Sequence, residues 1–320
     1  MADDLLRKTE IETASGGRRR AGPRIGLALG AGAARGWAHI GALHELKAMG
    51  LVPDVVVGSS IGALVGGCFA AGRLDELESF ARSLNKRRVF GLLDFSFSGA
   101  GLIGGDRLRA RLHESIGAMR IEDLPMRFAG VATELGTGHE VWLRRGSLVD
   151  AMRASYALPG VFEPVRIGGR WLIDGAVVNP VPVSVARALG AERVVALSIA
   201  IDGTGRGATR HDGVETDPTE DEAPPAARRG AGLLRRGRSA ANAPGLASVM
   251  ADAFNITQDR LMRSRLAGDP PDVLINLKVG RIGVFEFDRA EELIALGREA
   301  VRRARTDIAE CFDLAPVAEG

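Results

Sequence analysis

Two cysteines, one tyrosine and five histidines in 320 residues leave several kinds of chemistry short of material. Cys68 sits in an apolar run and Cys311 near the end of a charged segment, far apart in the chain. No disulfide framework is expected, and a reducing compartment fits. Aromatic residues make up only 5% of the chain against 42 glycines, a balance that suits tight α/β packing better than a β-sandwich. The net charge of +2 lacks the basic excess of a nucleic-acid surface. No stretch approaches the roughly 18 consecutive apolar residues of a spanning helix. Residues 1–23 are polar, with GGRRR at 16–20, and lack the apolar core of a signal peptide. These absences predict a cytoplasmic protein that binds no nucleic acid, with transient contact at a membrane surface left open. Neither a metal-ligand cluster nor an EF-hand loop is visible, so no metal and no cofactor are expected.

What is present is a large apolar fraction, 46%, arranged with the rhythm of an α/β protein. RIGLAL at 24–29 reads as a buried strand, followed by a glycine-rich turn and a helix that Gly50 ends. DVVV at 54–57 is a second strand, and IGALVGGCFAAG after it is a helix too apolar to be exposed. Strand, loop and helix repeated in this way predict a parallel sheet with helical crossovers. Residues 73–120 read as charged helices broken by FGLLDFSFSGAGLIGG at 90–105. RFAGVATEL and HEVWLRRG read as paired strands, 147–157 as a short helix, and VRIGGRWLID as a hairpin over Gly168 and Gly169. A helix at VSVARALG and a strand at ERVVALSI follow. Composition then changes abruptly. Residues 202–244 carry an acidic patch and then RRGAGLLRRGR, and are expected to be a disordered insertion. The organisation expected is a disordered tail at 1–23, a core at 24–201, the insertion, and a helix-strand-helix unit at 245–320 that completes the same domain.

VVGSSIGALVGG, residues 56–67, contains Gly58-x-Ser60-x-Gly62 between a strand and a helix. That context suits a nucleophilic serine on a sharp turn. Standing alone, the pentapeptide is as readily a small-residue turn packing a helix on a sheet. A nucleophilic serine needs a base within hydrogen-bond reach. The histidines offer none in the expected place. His39 and His44 precede the serine on a helix, His113 lies in an arginine-rich helix, His139 at a hairpin tip, and His211 in the insertion. Each reads as a packing or solvated side chain, and a Ser-His-Asp triad of the α/β-hydrolase kind is disfavoured.

A carboxylate is the remaining kind of base. Asp174 ends an apolar strand and is followed by the small residues Gly175 and Ala176. An acid there is costly to bury without partners, and taken alone Asp174 reads first as an Asx turn onto its own downstream backbone. Ahead of both lies Gly30-Ala31-Gly32-Ala33-Ala34-Arg35-Gly36, a glycine-rich turn opening a helix. Backbone N–H groups in such a turn face an anion. A dinucleotide fingerprint is the weaker reading, because Arg35 occupies its close-packing position and the next strand ends in the serine turn rather than an acid. Arg35 instead points its charge toward the loop or makes an ion pair.

Taken together, LGAGAARGWAHIGAL, VVGSSIGALVGG, RASYALPGVFEPV and LIDGAVVNPVPV resemble the patatin-like phospholipase family in its bacterial branch. The likeness covers roughly residues 24–200, and more loosely the C-terminal part. It implies a three-layer patatin-like α/β fold, with a mostly parallel sheet flanked by helices. It also implies a Ser–Asp dyad without a catalytic histidine: Ser60 as nucleophile, Asp174 as general base, and an oxyanion hole from the backbone of Gly32, Ala33 and Ala34. Gly58, Gly62, Gly175, Ala176 and Arg35 support those motifs. The reaction implied is hydrolysis of a lipid acyl ester through an acyl-Ser60 intermediate. Alanines stand where the family loop often has glycines, which leaves the N–H donors but disfavours left-handed backbone. The segment 90–105 reads as a lid or as a core connection. RRGAGLLRRGR reads as a solvated linker before a lipid-binding one. A non-enzymatic lipid-binding or regulatory module is the remaining alternative.

Overall fold

A computed structural model describes residues 22–92, 105–200 and 246–314. The proposed N-terminal tail up to residue 21, most of the 90–105 segment and the 202–244 insertion lie outside the described residues.

Buried β-branched and aliphatic runs build the centre. Strands β1 (Ile25–Leu29) and β2 (Val55–Ser59) are buried at every residue, the pattern of strands covered on both faces. Together with β3 (Arg127–Glu134), β7 (Arg193–Ala200) and β8 (Val273–Lys278) they form a five-stranded parallel sheet. β4 (Glu140–Leu143), β5 (Val165–Ile167) and β6 (Arg170–Asp174) extend it through antiparallel pairings. Hydrogen-bonded neighbours run β5-β6-β3-β2-β1-β7-β8, with β4 also paired to β3. β8 alternates instead of being uniformly apolar, with Val273, Ile275 and Leu277 inward and Leu274, Asn276 and Lys278 outward. It is an edge strand with one covered face.

Helices cover both faces. On one side Leu27, Leu29, Val56, Phe128 and Leu197 pack against helices α1 (Trp37–Ala48), α2 (Ile61–Ala70), α6 (Leu148–Ser155) and α9 (Ala290–Arg303). The charged helices α3 (Leu74–Ser83), α4 (Lys86–Leu92) and α5 (Asp106–Ile116) lie between α2 and α6 in the chain. On the other side Ala28, Val55, Val57, Val131 and Val194 meet α7 (Val183–Ala188), with Met262 and Leu266 of α8 (Leu246–Gly268) against them. The result is a three-layer α/β architecture. The charged stretch 288–312, which its composition reads as one final helix, is two helices, α9 and α10 (Arg305–Phe312), because Ala304 leaves helical geometry at φ −91°, ψ 9°. No glycine or proline marks that break, which is why the residue pattern ran through it.

The C-terminal unit is tied to the preceding part of the chain in both the sheet and the helix layer. β8 pairs β7 in the sheet, and α9 crosses α1 at the closest approach the backbone permits. A Cβ on Gly297 would overlap the Ala38 carbonyl, and one on Gly41 would overlap the Ile294 carbonyl. Overpacking of this kind typically costs about 1–3 kcal/mol. Gly297→Ala is therefore expected to destabilise the protein by about that amount in chemical unfolding, although alanine has the better helix propensity. A variant as stable as the parent would contradict the close crossing.

Candidate active site

The turn between β2 and α2 holds Ser60 in an unusual backbone state, φ 57°, ψ −126°. Such a conformation costs a non-glycine residue roughly 1–3 kcal/mol and persists only where the surroundings enforce it. They do so sterically. A Cβ on Gly58 would overlap the backbone of Gly62 and Ala63, and one on Gly62 would overlap the Leu29 carbonyl. The Ser60 carbonyl accepts from the Ala63 and Leu64 N–H groups at 3.0 and 3.3 Å, starting the helix. Its own N–H donates to Ser155 Oγ at 3.0 Å, and Ser155 Oγ donates to the Val131 carbonyl at 2.5 Å. Ser155 sits in the RASYALPG stretch, and sequence reasoning did not single it out. A lone hydroxyl on the apolar face of a short helix was the available signal.

Asp174 reaches the serine through strand register. Val131 of β3 pairs Trp142 of β4 on one edge and Ser59 of β2 on the other. Thr133 pairs Glu140 of β4 on the first edge and Ile173 of β6 on the second. β2 and β6 therefore share one edge of β3. β2 runs up to Val131, and β6 runs down, antiparallel, to Ala132 opposite Asp174. The two strands meet end to end, and Asp174 at the end of β6 and Ser60 just past the end of β2 bring their side chains to one point. Ser60 Oγ donates to Asp174 Oδ2 at 2.6 Å. Asp174 Oδ1 accepts from the Ala176 N–H at 2.8 Å, so the Asx turn and the contact to serine coexist on one carboxylate. Thr133 Oγ1 donates to the Asp174 carbonyl at 2.8 Å, and the Asp174 N–H donates to the Ala157 carbonyl at 2.9 Å. Gly175 lies so close to the Val131 carbonyl that no side chain would fit. Asp174 is 1% exposed. Burial pushes its carboxyl up to about 7, against the opposing pull of the Ser60 hydroxyl and the Ala176 N–H.

The glycine-rich loop lies against the same turn. Gly36 is packed on Ile61, and the Leu29 and Gly30 carbonyls press on Gly62. Ala33 adopts φ 50°, the left-handed geometry that alanine disfavours. The loop is fastened along its length. The Gly30 N–H donates to the Leu197 carbonyl and the Ala31 N–H to the Pro180 carbonyl, both at 2.9 Å. The Ala34 N–H donates to the Val284 carbonyl at 3.0 Å, and Arg35 Nε donates to the Ile282 carbonyl at 2.6 Å. Among the described residues the Gly32 and Ala33 N–H groups have no acceptor. Of the three amides that the family resemblance implied, these two are open and Ala34 is engaged.

The histidines are elsewhere. His44 lies 2.8 Å from Glu78, His113 lies near its own helix end at Gly117, and His139 lies 3.5 Å from Glu134. His39 is fully buried, with Nε2 2.8 Å from the Gly30 carbonyl. A carbonyl only accepts, so Nε2 carries the proton and the ring holds the start of the glycine-rich loop. Burial lowers the His39 pKa to about 4. Its unfolded value is near 6.5, so its contribution to stability is present above that pH. The contribution is lost as pH falls toward the folded value. His39→Gln keeps an N–H donor and removes the titration. It is expected to stabilise the protein at pH 5 relative to pH 8 by on the order of 2 kcal/mol. An equal effect at the two pH values in thermal unfolding would refute that coupling.

Among the described residues no three His, Cys, Asp or Glu side chains gather in a way that could hold a metal ion, and no helix is long and apolar enough to cross a membrane. Comparison with known proteins places this geometry in context. The sequence model described as Patatin-like phospholipase matches residues 27–187. An NTE family protein of Mycobacterium tuberculosis is 34% identical over 90% of this chain and 92% of its own length. The neuropathy target esterase sws of Drosophila melanogaster is 33% identical over 56% of this chain and 13% of its own. A patatin-like phospholipase domain-containing protein of Caenorhabditis elegans is 35% identical over 56% of this chain and 14% of its own.

Proposed function

The chain belongs to the patatin-like phospholipase family, and from that membership we propose that it is a serine hydrolase of lipid acyl esters working through a Ser60–Asp174 dyad. The observation that carries the reading is the 2.6 Å hydrogen bond from a strained serine hydroxyl to a buried carboxylate.

In the proposed reaction Ser60 Oγ attacks the ester carbonyl as Asp174 Oδ2 takes the hydroxyl proton. The tetrahedral oxyanion faces the open N–H groups of Gly32 and Ala33. Collapse breaks the ester C–O bond, and the departing alkoxide takes the proton from Asp174. The acyl-Ser60 ester is then hydrolysed by water, with Asp174 again accepting the proton and returning it to Ser60 as the fatty acid leaves. An ordinary aspartate is a weak base for this task. Burial that lifts its pKa to about 7 brings it near the working range of a general base. Neither alternative has comparable support. A histidine triad lacks its histidine among the described residues, and a binding module has no use for a strained serine bonded to a buried acid.

Ser60→Ala is expected to abolish fluorophosphonate labelling and to lower hydrolysis of a p-nitrophenyl ester by about 10⁴-fold or more. Undiminished turnover would sink the proposal. Because the base must be ionised, kcat/KM is expected to rise with pH through an inflection near 7. Stability runs the other way. A carboxyl with a raised folded pKa contributes fully below its unfolded value near 4, and the contribution is lost as pH rises through about 7. Asp174→Asn is thus expected to lose activity while gaining more in Tm at pH 8 than at pH 5. The opposite order of Tm gains would show that Asp174 is stabilised in its charged form.

A further inference from the structure

The described residues include nine large apolar side chains that are exposed, and five of them stand at one end of the molecule. Leu135 follows β3 and neighbours Trp171 of β6, its N–H donating to the Trp171 carbonyl at 2.8 Å. Both lie beyond the point where β2 stops, past the C-terminal ends of the parallel strands. Val177 comes three residues after Asp174. Phe285 follows Val284, whose carbonyl holds the glycine-rich loop. Ile256 neighbours Asn255 on α8, which lines a small cavity with Ala31 and Gly32. Trp171 is 51% exposed and Phe285 52%. These side chains come from separate elements at the end of the sheet where Ser60 follows β2.

Unpaired cations stand among them. The Arg166 guanidinium lies 5.8 Å from the centre of the Trp171 ring, and exposed Lys278 and Arg281 end β8 and follow it. None of these three cations forms an ion pair among the described residues. Nearby acids are mostly engaged: Glu134 with Arg170, Asp259 with Arg263, and Glu286 with Arg289. Asp252 and Asp288 are the exceptions. Apolar and aromatic tips interleaved with free cations match a headgroup region, where aromatic rings settle and basic side chains meet phosphates. A rigid protein partner, including a second copy, would be met by a continuous patch rather than by tips on separate elements.

We propose that this end of the molecule docks on an anionic lipid surface. Trp171, Phe285 and Ile256 enter the headgroup layer, Arg166, Lys278 and Arg281 meet lipid phosphates, and the Ser60 end of the sheet is set against its substrate. Only that last clause rests on the acyl hydrolase reading. The test uses the full chain carrying Ser60→Ala, so that vesicles are not consumed, in co-sedimentation with phosphatidylcholine vesicles with and without phosphatidylglycerol. The Ser60→Ala chain should sediment, and more strongly with phosphatidylglycerol. Adding Trp171→Ser and Phe285→Ser should lower the partition coefficient about tenfold or more, and Arg166→Gln with Lys278→Gln should erase the phosphatidylglycerol preference. With Ser60 intact, the Trp171 and Phe285 pair variant should keep its rate on a soluble short-chain ester, which also shows that it folds, while hydrolysing vesicle lipid more slowly. Sedimentation unchanged by the pair variant would overturn the proposal and move the contact elsewhere, the basic 228–238 stretch included. Conversion of a dimer to a monomer by that variant would also overturn it, marking a self-association face. If the Ser60→Ala chain sediments as expected but the wild type cleaves no ester, the docking surface stands and the hydrolase reading fails.

Discussion

The edge that β2 and β6 share on β3 is the constraint on which the site depends. Val131, Ala132 and Thr133 act as its ruler. Val131 marks where β2 ends and Ala132 marks where β6 ends. A slip of β6 by two residues would keep its inward and outward faces but carry Asp174 some 6–7 Å from the serine. The register is pinned from several directions at once. Thr133 Oγ1 holds the Asp174 carbonyl, the Val131 carbonyl receives Ser155 Oγ, and Gly175 fills the remaining space beside Val131. The same Ser155 hydroxyl receives the Ser60 N–H. One short stretch of strand thus sets both partners of the 2.6 Å contact, and a change at Val131 or Thr133 is felt on both sides of it.

That contact is expensive to maintain. The serine occupies a backbone state that its residue type disfavours, and the carboxyl is removed from water with two donors, the Ser60 hydroxyl and the Ala176 N–H. Two neutral donors do not replace the hydration a carboxylate loses, which is why the acid is pushed upward rather than held at its ordinary value. More partners would make Asp174 a more comfortable anion and a poorer base. The stability sacrificed above neutral pH and the base strength proposed for the reaction therefore have the same physical origin. The sheet on either side, uniformly buried in β1 and β2, is what tolerates the cost.

Much of this was legible in the residues, and the limits have physical reasons. Apolar runs of four or five residues ended by glycine turns locate β1, β2 and β7, because strands covered on both faces leave no alternation to misread. Gly58 and Gly62 mark the serine turn because backbone approach excludes any side chain there. Asp174 could be suspected from its place after an apolar strand. Its meeting with Ser60 is a property of strand register across 114 positions, and no local pattern encodes that. The same holds for Ser155 and His39, whose hydrogen bonds to Ser60 and Gly30 exist only once distant elements are packed. The break at Ala304 left no mark because both halves keep the same charged, helix-forming composition.

The glycine-rich loop shows most clearly what the C-terminal part of the chain contributes. Residues 282–284 lie outside the stretch matched by the family model. Their carbonyls nevertheless take the Ala34 N–H and Arg35 Nε. From the other end, His39 holds the Gly30 carbonyl, while the Pro180 carbonyl takes the Ala31 N–H. With both ends tied, Ala33 is kept at a positive φ that glycine would adopt at little cost. An unconstrained alanine would relax out of that state and carry its N–H with it. A loop made of unbroken glycines can reach the geometry by its own freedom, whereas this one requires fastening from outside. The alanines at 33 and 34 and the docking of the 282–284 loop are thus two halves of one arrangement, and removing the C-terminal unit would cost the loop its shape as well as the sheet its edge strand.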